Sequence, residues 1–427
     1  MDSWVDEYAD KAMVDLYGIF LKLSVLVLDL SPSYAALSII GVVMSAIGLF
    51  SISVMLTISA YKMSDDFEDF SGEANLGFLS ILSFIFVCNQ NYYRRELILL
   101  HHMIGKGFHD YKEPQYSPEE LEKYKQYLNK LYLALMILAC YVVFIALLVI
   151  FICPYIDRQL GFGWDDAYDQ YGVNRQLPVP LWTPFASDSG LGYWSTLVLI
   201  ECFGGAMFTL SIGGTALLFT GISGGILLEQ KLLILSIQNL DKRAKRRYKM
   251  LVGADEVNKN KFGEDPLYQK CIEYCLQQNV IHHHCILRYY EVYQQVGTVP
   301  LLASFAIETI AIAMSMIRLN EGSAKWGANI AFGCIAIAEM ANMIMLCVLG
   351  EQTTTLGLDM NQSLYFSKWY RFNKKNRMIL LQFLIETRNP LRVGSLGLVG
   401  CNMEQFSQVM NSAYSFFNLL KVSKARD

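Results

Sequence analysis

Charged residues are scarce in this chain, and their scarcity excludes an ordinary soluble protein. Asp, Glu, Lys and Arg make up 17% of the 427 residues, whereas soluble domains carry about 25%. The deficit is concentrated in long uncharged stretches, which is typical of helices that cross a membrane. The net charge of −4 offers no general attraction for a polyanion, so we expect no nucleic-acid partner.

Sequence motifs of catalysis are also missing. The chain has no Walker motif, no GxSxG, no HExxH and no kinase signature, so we expect neither an enzyme nor a cofactor. Its ten cysteines lie mainly in apolar runs or in residues 229–291, without the spacing of an extracellular disulfide framework. His282, His283, His284 and Cys285 suggest zinc, but neighbouring residues of a helix point about 100° apart and converge poorly on one ion. We therefore expect no metal site.

The chain does contain a series of long apolar runs. A membrane-crossing helix needs about 20 predominantly apolar residues. The predicted spans fall within residues 30–61, 74–93, 131–156, 189–228, 292–317, 326–350 and 405–420, the last being shorter and more polar than the others. The fourth run is too long for a single crossing, so its helix should continue beyond the membrane. The sequence predicts an all-α membrane protein with seven spans.

A weaker helical pattern precedes the first span. Six apolar residues follow a helical period between residues 12 and 29, and Asp15, Lys22 and Asp29 interrupt them. The six are Met13, Leu16, Ile19, Phe20, Leu23 and Leu26. An amphipathic helix lying in the membrane interface fits this pattern better than an eighth span.

The distribution of Lys and Arg predicts how the spans are oriented. With seven spans, 27 of these residues fall on the side of the N-terminus and 8 on the other. Because positive residues favour the cytoplasmic side, we expect an intracellular N-terminus and an extracellular C-terminus. A G-protein-coupled receptor has the opposite orientation.

The spans and their connections divide the chain into six parts. They are an N-terminal segment at 1–36, spans one to four at 37–228 with an outer loop at 154–190, inner helical extensions at 229–291, spans five and six at 292–350, an inner loop and helix at 351–402, and span seven at 403–422. Pro178, Pro180 and Pro184 predict an ordered outer loop that acts as a lid. The inner extensions are too long for simple connections, so we expect them to pack together as an anchor domain.

Ionisable side chains within a membrane are costly and often functional. Glu201, Glu308 and Glu339 interrupt the fourth, fifth and sixth spans. A functional and a structural role are equally well supported for Glu201. For the other two we favour the structural role, which means a place near a helix end, a protonated side chain or a hydrogen bond to a neighbouring helix.

The seventh span carries a polar stripe. Gln408, Asn411, Ser415, Asn418 and Val422 follow steps of three and four residues, which place them on one helical face. A polar face must be shielded from lipid, either by other helices of the same chain or by the water of a pore. One helix cannot enclose a pore, so the second interpretation requires several subunits. The residues alone leave both interpretations open.

Several short motifs, in order along the chain, resemble those of insect odorant receptors. Leu177-Pro-Val-Pro-Leu-Trp-Thr-Pro-Phe185 is similar to the LPV-x-x-W-x-P segment before the fourth span of that family, and Glu229-Gln230 resembles its EQ pair. Ser363-Leu-Tyr365 followed by Trp369-Tyr370 resembles its inner-loop pattern. Ala413-Tyr-Ser-Phe-Phe-Asn-Leu-Leu420 resembles its ending A-Y-S-Y-F-x-L-L.

This resemblance implies a tetrameric, ligand-gated, non-selective cation channel in the plasma membrane, expected in sensory-neuron dendrites. Span seven would line a central pore, and an odorant pocket would lie within each subunit among spans two, three, four and six. The tetramer would be homomeric or would include an odorant receptor co-receptor. Its partners would be membrane lipid, cations and small volatile organic ligands.

The resemblance also places a gate at the end of span seven. Matching the tail puts the apolar constriction at Leu419, with Asn418 beside it and Val422 about one turn further out. Gustatory relatives and the co-receptor carry TY-x5-Q, whereas this chain has Ser415-Phe416 and Val422 in those places. The difference argues against the co-receptor itself. Lys421 is unusual beside a cation path, and we expect it to point away from the pore.

Candidate pocket residues follow from the faces of the four implied helices. We expect ligand contacts from Leu79, Ser80, Ser83, Phe84, Tyr141, Phe144, Leu148, Phe151, Phe203, Met207, Phe208, Ser211, Asn329, Phe332, Gly333 and Ala336. Such an apolar pocket would discriminate loosely, because one methylene group is worth only about 1 kcal/mol.

Two other classes of membrane protein remain as alternatives. A secondary transporter often shows an internal repeat, and seven spans do not divide into two equal halves. A heptahelical G-protein-coupled receptor conflicts with the distribution of Lys and Arg.

Overall fold

The computed structural model describes residues 35–109, 111, 118–162, 168–252, 265–320, 325–395 and 399–424. The predicted amphipathic helix at 12–29 lies outside these ranges. The described chain is almost entirely helical, with one short hairpin. We call residues 160–189 the long loop. The end of the helix bundle that carries this loop is called the loop end.

The first two helices form a hairpin. Helix α1 covers Ala35–Lys62 and helix α2 covers Phe67–Tyr92. The α2 helix begins seven residues before the predicted second span because Asp66 caps it, accepting hydrogen bonds from the backbone N–H groups of Glu68 at 3.1 Å and Asp69 at 3.4 Å. The acidic first turn also complements the positive N-terminal end of the helix dipole.

The next helices are interrupted by π-helical turns. Helix α3 covers Arg94–Lys106, and α4 covers Pro118–Leu147, continuing through a π-helical turn at Leu148–Ile152 into α5 at Cys153–Gln159. Pro154 lies in the first turn of α5, where a missing backbone N–H is tolerated. After the long loop, α6 covers Gly190–Ser195, a second π-helical segment covers Thr196–Phe203, and α7 covers Gly204–Gln238.

The longest helices extend well past the thickness of a bilayer. Helix α8 covers Leu240–Val252, α9 covers Pro266–Asn320 and α10 covers Trp326–Tyr365. The 55 residues of α9 span about 80 Å, whereas the hydrocarbon core of a bilayer is about 30 Å thick. A large part of α9 therefore lies outside the membrane, as does the end of α7 beyond the predicted fourth span.

The last elements return the chain to the bundle. A 3-10 turn at Trp369–Arg371 precedes α11 at Lys374–Glu386, which Asn373 caps by accepting a hydrogen bond from the backbone N–H of Asn376 at 2.8 Å. Strands β1 at Gly394–Ser395 and β2 at Val399–Gly400 pair antiparallel, with Gly394 opposite Gly400. Helix α12 covers Met403–Lys424.

The helices away from the loop end share one large apolar cluster, which we call the extension core. Its fully buried members include Ile226, Leu233, Leu276, Tyr289, Tyr293 and Phe383. The Tyr289 hydroxyl donates to the carbonyl oxygen of Ile222 at 3.0 Å, so the aromatic residues of α9 also bond the backbone of α7. These contacts pack the extensions of the five helices from α7 through α11 against one another.

Six helical segments of the described chain are long and apolar enough to cross a membrane. They correspond to the first six predicted spans. The α12 helix has 22 residues, or about 33 Å, and corresponds to the more polar seventh. The all-α membrane fold predicted from the sequence is confirmed, and the orientation of the chain stays a prediction.

Candidate functional site

A cavity of about 150 Å³ lies in the loop-end half of the bundle. Helices α1, α2, α4, α7, α9 and α10 surround it, and Val179 and Leu181 of the long loop cover it. Its walls are mainly aliphatic, as at Leu79, Ile145 and Ile335. An apolar cavity of about 150 Å³ can hold a molecule the size of benzene, so this space suits a small organic ligand.

Close helix packing shapes the walls of this cavity. Gly204 lets α7 approach α1, because a Cβ atom at that position would overlap the side chain of Ile52. Ser83 and Ser211 join α2 to α7, the Ser83 hydroxyl donating to the carbonyl oxygen of Phe208 and the Ser211 hydroxyl to that of Ser83, each at 3.2 Å. These close contacts fix the positions of the helices that bound the cavity.

Three carboxyl groups reach the cavity from different helices. Glu201 comes from the second π-helical segment, Glu308 from α9 and Glu339 from α10, and each residue is at most 6% exposed. The sequence singled out all three. It favoured a structural role for Glu308 and Glu339, and Glu308 does accept a hydrogen bond from Asn342 of the neighbouring α10; both side chains also lie at the cavity wall.

A second cavity of about 400 Å³ lies between the first cavity and the loop end. We call it the vestibule. Leu76, Val149, Ile150 and Val179 line both spaces, so the two are neighbours separated by single side chains. The vestibule therefore borders the inner cavity on the side of the loop end.

Buried ion pairs hold the long loop against the helix ends around the vestibule. Arg175 of the loop pairs with Asp69 of α2 and, at 2.8 Å, with Asp169 of the loop. Arg318 at the end of α9 lies 3.1 Å from Asp69, and Lys325 before α10 lies 3.1 Å from the same carboxylate. Burial alone would lower the pKa of Arg175, but the adjacent carboxylates raise it, so its charge is secure.

The sixteen predicted pocket residues fall into three groups. Leu79, Ser80 and Phe208 line the cavity, and Phe151 and Phe332 line the vestibule. Ser83, Leu148, Ser211 and Ala336 are buried between helices, and Phe84, Tyr141, Met207, Asn329 and Gly333 are partly buried outside the cavity wall. Phe144 and Phe203 are about half exposed on the outer surface of the bundle, away from the cavity.

Sequence reasoning missed the wall contributed by helices outside the four expected ones. Ile52 of α1, Glu308 of α9 and Val179 of the long loop all line the cavity. The carboxyl groups were visible as charges inside apolar runs. The aliphatic residues carried no such signal, because apolar residues occur on every face of a membrane helix.

Two of the three histidines that suggested zinc have other contacts, and His284 is exposed. His282 Nε2 lies 2.9 Å from a Glu229 carboxylate oxygen, and the His283 ring packs against Phe383 with ring centres 5.2 Å apart. Within the described ranges, no three His, Cys, Asp or Glu side chains are grouped as metal ligands.

Helix α12 has one buried face and one exposed face. Val409 and Ala413 are buried, and Ala413 packs against Ile312 and Ala313 of α9. The predicted pore residues Gln408, Asn411, Ser415, Leu419 and Val422 are exposed, and Asn418 is partly buried. Lys421 Nζ reaches Asn320 Oδ1 of α9 at 3.4 Å, so it leans toward its own chain. The polar stripe therefore faces away from the helices of its own subunit.

Comparison with known proteins gives the same family as the motifs. A family model for the 7tm odorant receptor matches residues 66–414. Odorant receptor 46a, isoform A, of Drosophila melanogaster is 21% identical over 151 residues, which are 35% of this chain and 40% of that protein. Odorant receptor Or1 of Anopheles gambiae is 21% identical over 260 residues, 58% of this chain and 60% of that protein. Each alignment thus spans less than two thirds of the relative.

Solved structures show the same fold over the whole chain. The insect olfactory receptor OR5 from Machilis hrabei, in complex with eugenol, superposes with a TM-score of 0.74 and covers 98% of each chain at 14% identity. Without that ligand the TM-score is 0.73, with 95% of this chain and 96% of that chain covered at 14% identity. Because the family model matches most of the sequence and the fold agrees throughout, this chain belongs to the odorant receptor family.

Proposed function

We propose that this chain is a subunit of an odorant-gated, non-selective cation channel whose pore is lined by α12. The observation that carries the proposal is the exposed polar face of that helix. Gln408, Asn411 and Ser415 point away from the subunit, and lipid cannot satisfy their hydrogen-bonding groups. Copies of α12 around a central axis would instead place these side chains against water.

Four subunits are the number that the family resemblance implies. The extension core gives each subunit a rigid helical base outside the membrane, which supports contacts between neighbours. A ring of four Leu419 side chains, exposed in the single subunit, would form an apolar constriction that closes by dewetting. The assembly would be homomeric or would include a co-receptor, with the N-terminus inside the cell and the channel in the plasma membrane of a sensory dendrite.

Ligand binding would take place in the inner cavity. Its aliphatic walls and its volume of about 150 Å³ suit a small volatile molecule. The related Machilis receptor was solved with eugenol, which makes eugenol a rational first probe of this chain. Binding in the cavity would separate helices that also contact α12, and the conduction path would respond.

The test is a whole-cell recording from cells that express this chain alone, exposed to eugenol and a panel of volatile compounds. We expect an inward cation current that needs no second messenger. If the chain alone is silent although it reaches the surface, the panel is repeated with a co-receptor. Silence in that arm too would contradict the channel proposal.

Filling the inner cavity should weaken the response to ligand without harming assembly. Ala338 lines the cavity on α10, and Ala338→Phe would place a phenyl ring in the space that a ligand needs. We expect the half-maximal ligand concentration to rise at least tenfold, which corresponds to about 1.4 kcal/mol. Dose–response recordings measure this change.

The matched control for this substitution is Ala206→Phe, because Ala206 is exposed on α7, outside the cavity wall. It should leave the dose–response curve unchanged. Equal effects of the two substitutions would place the binding site elsewhere.

A secondary transporter and a G-protein-coupled receptor are not favoured. The family is one of ligand-gated receptor channels, and the overall fold is that of an olfactory receptor. Epitope tags on unpermeabilised cells would test the proposed orientation, since only a C-terminal tag should stain.

A further inference from the structure

The ionisable side chains described in the inner cavity are all acidic. Among the described residues that line it, three are carboxylic acids, Glu201, Glu308 and Glu339, and none is lysine, arginine or histidine. The cavity therefore offers acidic groups without a basic partner. The basic residues nearby, Arg175, Arg318 and Lys325, line the vestibule instead, where they pair with Asp69.

Most oxygens of these three carboxyl groups have no hydrogen-bond partner. Both oxygens of Glu201, both of Glu339 and Oε2 of Glu308 are buried without a bonded donor. Glu308 Oε1 accepts a hydrogen bond from Asn342 Nδ2 at 2.9 Å, and the backbone N–H of Val179 and the side chain of Asn75 approach Glu201 and Glu339 more loosely. The hydroxyl groups of the cavity are already used, since Ser80 donates to the carbonyl oxygen of Gly77 at 2.9 Å and Thr209 to that of Gly205 at 2.6 Å.

Five unpartnered carboxyl oxygens in an apolar cavity are costly. An unpaired buried carboxylate loses several kcal/mol of solvation, and a neutral acid in its place still has an oxygen that needs a donor. Apart from the Asn342 amide, the side chains described in the cavity wall supply no N–H donor to either form. A ligand that brings N–H donors and a positive charge would supply what is missing, and an apolar ligand would leave the deficit in place.

The vestibule adds a further acidic group. Glu73 lines it and is 5% exposed, and its Oε2 atom has no partner. The same wall carries Arg158, Arg175, Arg318 and Lys325, so the vestibule is mixed in charge, whereas the ionisable residues described in the inner cavity are all acidic.

We infer that the inner cavity selects small organic amines, with the nitrogen facing Glu201, Glu308 and Glu339 and the hydrocarbon body against the aliphatic walls. This inference rests on the proposed function for its physiological meaning, but binding itself does not depend on channel opening. The proton balance closes in either case: an ammonium ligand pairs with a carboxylate whose own proton has gone to water, or a neutral amine accepts the proton of a neutral acid.

The experiment compares four probes of similar shape on the purified full-length protein: cyclohexylamine, cyclohexanol, methylcyclohexane and cyclohexanecarboxylic acid. Thermal stabilisation measured at several concentrations gives apparent affinities. We expect cyclohexylamine to bind at least tenfold more tightly than methylcyclohexane, and the carboxylic acid to bind most weakly. Amine affinity no better than that of methylcyclohexane would overturn the inference.

Single variants then test the carboxyl groups. Glu201→Gln and Glu339→Gln should each weaken amine binding about tenfold and leave methylcyclohexane unchanged, because glutamine keeps the shape and loses the acid. Glu351→Gln, at an exposed position of α10 outside the cavity, should change neither. Equal losses for amine and hydrocarbon would mean a general disturbance of the cavity and would contradict the assignment.

Recordings with the same probes separate this inference from the channel proposal. If cyclohexylamine stabilises the protein but no current is recorded with or without a co-receptor, the amine site is supported and the channel proposal is contradicted. Currents evoked equally well by all four probes would keep the channel and remove the amine selectivity.

Discussion

Replacing Leu419 by alanine is expected to raise the current that flows without ligand several-fold. The residue is 65% exposed on α12, on the face that also carries the polar stripe. In the proposed assembly its side chain narrows the pore and keeps it dry, so shortening it would admit water and ions. Whole-cell recording of basal current at matched surface expression measures the effect.

Leu199→Ala is the matched control for this prediction. Leu199 is 64% exposed, nearly the same as Leu419, but it lies on the second π-helical segment away from α12. We expect its basal current to remain that of the unmodified protein. Unchanged basal and ligand-evoked currents in Leu419→Ala would remove Leu419 from the gate.

Replacing Asp69 by asparagine is expected to destabilise the loop end by about 1–3 kcal/mol, because it removes the carboxylate that three basic groups share. Asp69 is 7% exposed and lies beside Arg175, Arg318 and Lys325. Arg175 would keep Asp169 and Arg318 would keep Glu68, but the ion pair that ties the long loop to α2 would be lost. A lower melting temperature of the detergent-purified protein, and cleavage of the long loop by added protease, would report the change.

An exposed ion pair provides the contrast. Glu273 lies 2.6 Å from Lys375, whose side chain is 69% exposed. Because surface pairs contribute about 0–1 kcal/mol, Glu273→Gln should leave the melting temperature nearly unchanged. A loss for Asp69→Asn no larger than that for Glu273→Gln would show that the loop is held by its apolar contacts.

Much of the fold could be predicted because the membrane imposes a simple rule on composition. Uncharged runs of sufficient length gave the spans, and the polar stripe of α12 stood out because polar groups are costly in lipid. The start of α2 was missed because Glu68 and Asp69 looked too charged for a span. Their partners include Arg175 and Arg318, which are far away in the sequence and which no local pattern could connect to them.

The walls of the cavity were harder to predict. Phe144 and Phe203 looked like ligand contacts, but they lie about half exposed on the surface of the bundle. In water an apolar residue on one face marks the interior of a protein, whereas in lipid both faces of a helix are apolar. Charged residues within the apolar runs were more informative, since Glu201, Glu308 and Glu339 all lie at the cavity.

Helix α9 connects the inner cavity to α12 over a short distance. Glu308 borders the inner cavity, and Ile312, one turn further along, packs against α12. Four residues of helix correspond to about 6 Å, so we expect a displacement of this segment to move α12, the proposed pore helix, without a relay of intervening side chains. Pro300, which cannot donate a backbone hydrogen bond, weakens α9 before this segment. We therefore expect the part of α9 that follows Pro300 to tilt and α12 to move with it.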